Sequence, residues 1–522
     1  MKKNSHKVLK QSKKKFFRIM FGRSAVVVLL LVLQFFMLFA IFAGFEKYLV
    51  AAYGGLTVVG LVMAIYIAGT SANPAVKLSW TALMILTPVF GSLLYIFIHT
   101  ELGHRIMSRQ LLRVLESTET LSCQDDSVLN NVLEEDKWLY NISGYTFSNG
   151  RYPVYRNRSC SYFPSGEAMF EELKESLVNA KKFIFLEFFI IEEGEMWNSI
   201  LGILKQKASE GVEVRVMYDG TCQFSLLTSD YGKRLNEYGI KCRVFAPLMP
   251  FVSTHYNNRD HRKIVVIDGK TAFTGGVNLA DEYIDKKERF GHWKDTAIKI
   301  EGEAVDSFTV MFLQMWNIRD TKEDFSRYLN KYNECNDEKY DGYIIPYGDS
   351  PLDEERVGET VYMDLINTAT DYVYISTPYL ILDGEMTTAL TNAAKRGVDV
   401  RIVIPHIPDH KLAFAIAKSH YSDLVPFGVK IYEYTPGFIH SKVMLCDSKK
   451  AAAGTINLDY RSLYLHFECA ALIYGSSVIP EIEMDFNDTF AKSREILPSD
   501  LKRTGLLYQL YKGVLKIIAP LM

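Results

Sequence analysis

The chain has 522 residues, 59 Lys and Arg against 61 Asp and Glu, a formal net charge of −2 and 48% hydrophobic residues. A near-neutral balance gives no general attraction to a polyanion, so a nucleic-acid-binding role has no support, while the apolar content fills two domain-sized cores with sequence left over. Seven cysteines, odd in number and without C-x-x-C spacing, argue against both a disulfide framework and a cysteine metal site.

The surplus apolar sequence is N-terminal. Residues 1–23 hold nine Lys or Arg and no acidic residue, a pattern that keeps a terminus cytoplasmic by the positive-inside rule. Three apolar stretches follow, 24–45, 48–69 and 78–98, each long enough as a helix to cross about 30 Å of hydrocarbon. Three crossings would place the following body outside the cytoplasm, yet His104, Arg105, Arg109 and Arg113 favour an inside location. Either one stretch does not span, the third with Pro88 and Gly91 being the candidate, or the body faces outward.

Residues 99–150 read as a polar linker with one helix at Gly103–Leu115. Beyond it the pattern repeats. Strand-like runs at Phe183–Ile191 and Val212–Tyr218 flank a helical pattern at Met196–Ala208, and the same order returns at Tyr372–Leu380, Met386–Lys395 and Val398–Ile404, with GVEVRV echoed by GVDVRI. Alternating strands and helices predict an α/β sheet in each of two halves, 151–331 and 332–500, joined by the polar Asn333–Asp341. The last segment, 501–522, is amphipathic, suited to lying at a membrane interface or to packing on the body.

The chemistry lies in a motif present twice with identical spacing, H-x-K-x4-D-x6-G-[GT]-x-N. It comprises His261, Lys263, Asp268, Gly275, Gly276 and Asn278, then His440, Lys442, Asp447, Gly454, Thr455 and Asn457. In a strand, His and Lys two residues apart point to the same face. The later glycines suit a tight return that brings Asn beside them. Two facing copies supply two imidazoles, two ammoniums and two amides, a set suited to a tetrahedral phosphate: one imidazole attacks phosphorus and the other protonates the leaving oxygen. A metal is disfavoured, because a Lys beside each His repels a cation and no further His or Cys cluster is apparent nearby. Asp268, followed by Gly269, fits a hairpin turn as well as an ion pair, and Trp293 and Trp316 read as core residues.

The duplicated motif resembles the phospholipase D superfamily. The strings NNRDHRKIVVIDGKTAFTGGVNLADEY, GHWKDTAIKIEGEAV, INLDYRSLYLHFE, LEFFII around Glu187 and STPYL are similar to bacterial cardiolipin synthases over nearly all of residues 150–500, and NPAVKLSWTALMILTPVFGSLLY is similar to the membrane domain that precedes their catalytic domains. The resemblance implies two tandem phospholipase D-like halves with the active site at their interface, preceded by transmembrane helices in the bacterial cell membrane. It implies that His261 and His440 are nucleophile and general acid, with His261 favoured as nucleophile, in a catalytic motif set with Lys263, Asp268, Lys442 and Asp447, in which the two Asp have a structural role in preference to a chemical one. Lys263, Lys442, Asn278 and Asn457 would hold phosphate oxygens. Glu468, eleven residues after Asn457, resembles the acidic residue that orients a catalytic His. The first half carries Arg289 at that offset, which leaves Glu187 as its candidate orienting residue. The implied reaction joins two phosphatidylglycerols into cardiolipin with release of glycerol, without metal or other cofactor. The alternative is a membrane phospholipase D-type hydrolase with water as acceptor.

Overall fold

The computed structural model describes residues 23–42, 46–99, 102–247, 258–318, 323–329, 340–353, 355–501 and 505–521. The join expected at Asn333–Asp341 lies almost wholly outside the described residues, as does the basic N-terminus. The chain divides into two compact units. One contains residues 1–106, 248–256 and 510–522, and the other residues 107–247 and 257–509.

In the first unit the apolar stretches are helical at Arg23–Phe42, Glu46–Ala68, Pro74–Leu86 and Pro88–His99. Asn73 caps the third of these, its side chain accepting from the Ala75 N–H at 2.9 Å, and Pro74 occupies the first helical position, where its missing donor costs nothing. The third apolar stretch is therefore two short helices. Proline at 88 removes a helical donor, the Thr87 hydroxyl bonds back to the Leu83 carbonyl at 2.7 Å, and Gly91 lets its helix approach so closely that a Cβ would sit 2.8 Å from that carbonyl. A small core of Ile67, Trp80 and Met84 closes the unit, with Tyr95 edge-on to Trp80. The transmembrane helices expected here are not supported: among the described residues, no helix is long and apolar enough to cross a membrane.

The second unit holds both halves of the repeat. In the first half the sheet order is Ser159–Phe163, Ala297–Glu301, Thr271–Gly275, Ile264–Ile267, Phe183–Phe188, Glu213–Asp219, Lys241–Phe245. The second half repeats it in full: Tyr343–Asp349, His466–Tyr474, Lys450–Gly454, Val443–Cys446, Tyr372–Ser376, Asp399–Pro405, Lys430–Tyr434. The last three strands of each list pair in parallel, and the crossovers between them carry helices, including Glu195–Ser209 and Gly384–Lys395. The central strands are apolar on both sides because both faces are covered. Phe185, Ile264 and Val266 face a core shared with Leu445, Ala453 and Ile473 of the other sheet and with the helices Val305–Trp316 and Ile479–Ala491; Ile184, Leu186 and Val265 face the opposite way, toward the helices of their own half.

Residues 99–150 are not the irregular linker expected from their polarity. They form helices at Leu102–Thr118, Asp126–Glu135 and Lys137–Gly150, and Val128, Val132, Leu139 and Ile142 are buried in the core of the second half. Short helices with a single apolar stripe, the second and third capped by Asp125 and Asp136, account for the polar composition.

Two short strands cross from half to half. Arg259–Asp260 pairs in parallel with the start of His466–Tyr474, and Gly437–Ile439 pairs in parallel with His292–Lys294. Each therefore delivers a motif histidine, His261 or His440, to the other half.

Candidate active site

The backbone sets the histidines first. The His261 N–H donates to the Phe467 carbonyl at 2.9 Å, and the His440 N–H to the Lys294 carbonyl at 2.7 Å. In both cases the acceptor immediately precedes a buried carboxylate. His261 Nδ1 then lies 2.9 Å from both Glu468 oxygens, and His440 Nδ1 lies 2.7 Å from Asp295 Oδ2. A carboxylate only accepts, so each Nδ1 carries the proton and each Nε2 is left with its lone pair.

Asp295 is the residue that the sequence reading missed. Counting eleven residues on from Asn278 leads to Arg289, which instead pairs with Glu282 at 2.9 Å. The signal is in the strand that follows. Ala297 pairs with Gly275 as Ala470 pairs with Gly454, so Asp295 and Glu468 hold equivalent positions two residues upstream, within a shared [DE]-x-A-x-x-I-x-G. The first half has six more residues before this strand, and the count from Asn fails for that reason.

Glu187 is not the orienting residue of the first half. Its carboxylate pairs with Arg262 at 2.5 Å, inside the sheet. Arg262 lies between His261 and Lys263 in the segment that joins Arg259–Asp260 to Ile264–Ile267, and its guanidinium pairs with Glu187 and Asp260.

His261, Lys263, His440 and Lys442 lie close enough to shift one another's proton affinity, and all four are buried, as are Asn278 and Asn457. Both Lys ammoniums donate to the carbonyl of the preceding motif histidine, Lys263 at 2.5 Å and Lys442 likewise. Asn278 accepts from the Ile190 N–H at 3.0 Å and donates to the Tyr283 hydroxyl at 2.7 Å, whereas the Asn457 side-chain oxygen has no hydrogen-bond partner among the described residues.

Asp268 and Asp447 lie elsewhere, about 16 Å along the strand from the motif Lys at about 3.3 Å per residue. Each sits at positive φ, 55° and 52°, and each carboxylate gathers three successive backbone N–H groups at the start of the neighbouring strand. Asp268 takes those of Lys181, Lys182 and Phe183 at 2.8, 2.6 and 2.9 Å, and Asp447 those of Thr370, Asp371 and Tyr372, each at 2.9 Å. Their place in the expected catalytic set is corrected accordingly.

The surroundings of the histidines differ. His440 is walled by Trp293, Tyr283 and Phe438, at ring distances of 5.5, 5.6 and 5.8 Å, so Trp293 borders the site besides filling the core. His261 meets Phe189 at 5.0 Å and His466 at 5.6 Å.

Burial dominates the electrostatics. It lowers His440 to about 4, helped by Lys442, and pushes His261 well below its usual value, helped by Lys263. It also lowers Lys263 to about 8 and Lys442 to about 7. Burial pushes Asp295 up too, but His440 and Lys442 outweigh it and hold the carboxyl below its usual range, while burial leaves Glu468 raised against the pull of His466 and Lys263. An empty pocket lined by cations and imidazoles sheds protons, and an anion placed in it reverses that.

A family model described as cardiolipin synthase, PLD-like domain matches residues 173–316 and 362–490. The chain belongs to the cardiolipin synthase family of phospholipase D-like proteins. It is 49% identical over 459 residues to an uncharacterized protein of Streptococcus mutans, covering 88% of this chain and 99% of that one. It is 30% identical over 475 residues to a cardiolipin synthase of Halalkalibacterium halodurans, covering 90% and 92%, and 30% identical over 462 residues to a cardiolipin synthase of Staphylococcus aureus, covering 85% and 91%. Among solved structures, phosphatidylserine synthase of Haemophilus influenzae shares the fold at a TM-score of 0.55 and 16% identity, over 74% of this chain and all of that one.

Proposed function

We propose that this chain is a phosphatidyltransferase that makes cardiolipin from two phosphatidylglycerols. The observation that carries the reading is the crossed pairing, His261 with Glu468 and His440 with Asp295, which presents two Nε2 atoms from opposite halves to one cationic pocket.

His261 Nε2 attacks the phosphorus of the first lipid while protonated His440 gives its proton to the departing glycerol oxygen. A phosphatidyl group is left on His261. The glycerol hydroxyl of the second lipid then attacks phosphorus, His440 takes up the hydroxyl proton, and the P–N bond breaks to regenerate the imidazole. Lys263, Lys442, Asn278 and Asn457 hold the non-bridging oxygens, whose charge grows in each transition state. One phosphodiester replaces another, so no external energy source is required. The burial of the six groups limits competition from water.

We place the enzyme at the bacterial membrane, with its N-terminal region as a multi-pass anchor. The apolar stretches 24–45 and 48–69 support this, as do their outward-facing side chains, among them Phe35, Phe39 and Ile65, each more than 60% exposed.

The test is incubation of the purified, reconstituted protein with phosphatidylglycerol alone, followed by mass spectrometry of the lipids and assay of free glycerol. Cardiolipin with equimolar glycerol is expected. Phosphatidic acid in its place would make the protein a hydrolase.

A further inference from the structure

His466 is a third histidine in the pocket, with no part in the reaction above. It stands two residues before Glu468 on the same strand, so both side chains project from one face. Its side chain is 10% exposed, and among the described residues neither ring nitrogen has a hydrogen-bond partner. Its Nδ1 lies 3.8 Å from Glu468 Oε1, too far for a hydrogen bond, and its ring is tilted toward that of His261. One donor atom from each of His261, His466 and Glu468 falls within 4.8 Å of the others.

We infer that His261, His466 and Glu468 form an inhibitory site for a single zinc-like divalent cation. Two imidazoles and one carboxylate are the donors such ions prefer, the Glu468 carboxylate offsetting the repulsion of the Lys263 ammonium that argues against a metal at the motif histidine alone, and Mg²⁺, which demands six oxygens, does not suit them. Donors at about 2.0–2.1 Å from a tetrahedral zinc stand about 3.4 Å apart, so a modest rotation of His466 closes the set and leaves a fourth position for water. A buried imidazole with both nitrogens unpartnered makes no hydrogen bond that the ion would have to replace.

Inhibition follows from the tautomer. In the metal-free site the His261 proton is on Nδ1, facing Glu468, and the Nε2 lone pair is free to attack phosphorus. An ion bound at Nδ1 moves that proton to Nε2, and the lone pair needed for the P–N bond is gone. No electrons are transferred, and removal of the metal restores the original tautomer.

This inference rests on the proposed transferase reading only for its effect on turnover, so binding and activity are measured separately. Zn²⁺ is titrated into the full-length protein in detergent against a chromophoric chelator, for the wild type, His466→Asn and His466→Gln, with thermal melts to establish folding. One zinc per chain is expected, weakened more than about 100-fold in either variant, since loss of a direct ligand exceeds the 10–100-fold of an outer-shell loss. Wild-type transfer should fall with zinc occupancy and return with EDTA, at unchanged Mg²⁺. Equal zinc affinity in wild type and variants overturns the site, and zinc that binds without lowering turnover overturns the inhibition. Should neither variant fold, X-ray absorption of the zinc-loaded wild type decides: two imidazoles at zinc are expected, and fewer than two rejects the assignment. A protein that binds zinc as described yet never forms cardiolipin keeps the site and refutes the transferase.

Discussion

His440 and Asp295 belong to opposite halves of the repeat, yet their side chains meet at 2.7 Å, and Asp295 is fully buried. The carboxylate fixes both ring orientation and tautomer, and an amide in its place can turn its NH₂ toward Nδ1 and drive the proton to Nε2. Asp295→Asn should therefore lower the turnover of phosphatidylglycerol by about a thousandfold or more, with a far-ultraviolet dichroism spectrum like that of the wild type. A folded variant within tenfold of wild-type turnover would remove Asp295 from the mechanism.

Gly276 and Thr455 occupy the same place in the two motifs, and the difference is explained by the carboxylates. A Cβ on Gly276 would fall on Asp295 Oδ1 and 2.9 Å from the His440 carbonyl. In the other half the Thr455 hydroxyl donates to Glu468 instead. Gly276→Ala should displace Asp295 and cut turnover at least tenfold, while Thr455→Ser, which keeps the hydroxyl, should stay within about threefold. Steady-state kinetics of the two variants side by side test the asymmetry, and an equal effect of both would contradict it.

The repeat was legible because its spacing is carried by strands whose length the sheet fixes. Strands expected at Phe183 and Tyr372 and helices at Met196 and Met386 stand within a few residues of those observed. Asp295 was not legible by counting from Asn278, since the intervening connection differs in length between the halves and only pairing with Gly275 restores the register. His466 was likewise hidden, although it stands in the quoted LHFE: a histidine on a strand acquires meaning only from what the other half places against it. Of residues 99–150 only the helix at Gly103–Leu115 was legible, and the rest failed for the opposite reason. Their apolar residues are few, but the three helices place them on the buried side.

Asp268 and Asp447 should matter for stability and not for chemistry. Each binds three backbone N–H groups from a turn that requires positive φ, which Asn tolerates better than Ala. Asp268→Ala should cost about 1–3 kcal/mol in chemical denaturation, from lost hydrogen bonds and backbone strain, and Asp268→Asn less. Below the melting transition, kcat and KM of both should remain within about twofold of wild type. A hundredfold loss of kcat in a folded Asp268→Asn would return the residue to the catalytic set.

Lys442 is lowered to about 7 by burial, so the free pocket is partly deprotonated near neutrality, and His440, lowered to about 4, is neutral there. A phosphodiester anion between these groups favours their charged forms and raises both values. The protonated pocket therefore binds the anion more tightly, and affinity for a short-chain phosphatidylglycerol should rise as the pH falls from about 8.5 to about 6.5, with net proton uptake on binding. A site whose cations are already fully charged would instead show an affinity that is flat over this range. Calorimetric titration in two buffers of different ionisation enthalpy measures the uptake directly. A value between about half a proton and two protons per lipid is expected at pH 7.5 for wild type, falling in Lys442→Arg, whose guanidinium stays charged. Zero uptake in the wild type, or release, would mean that the cations of the pocket are already protonated before the lipid arrives.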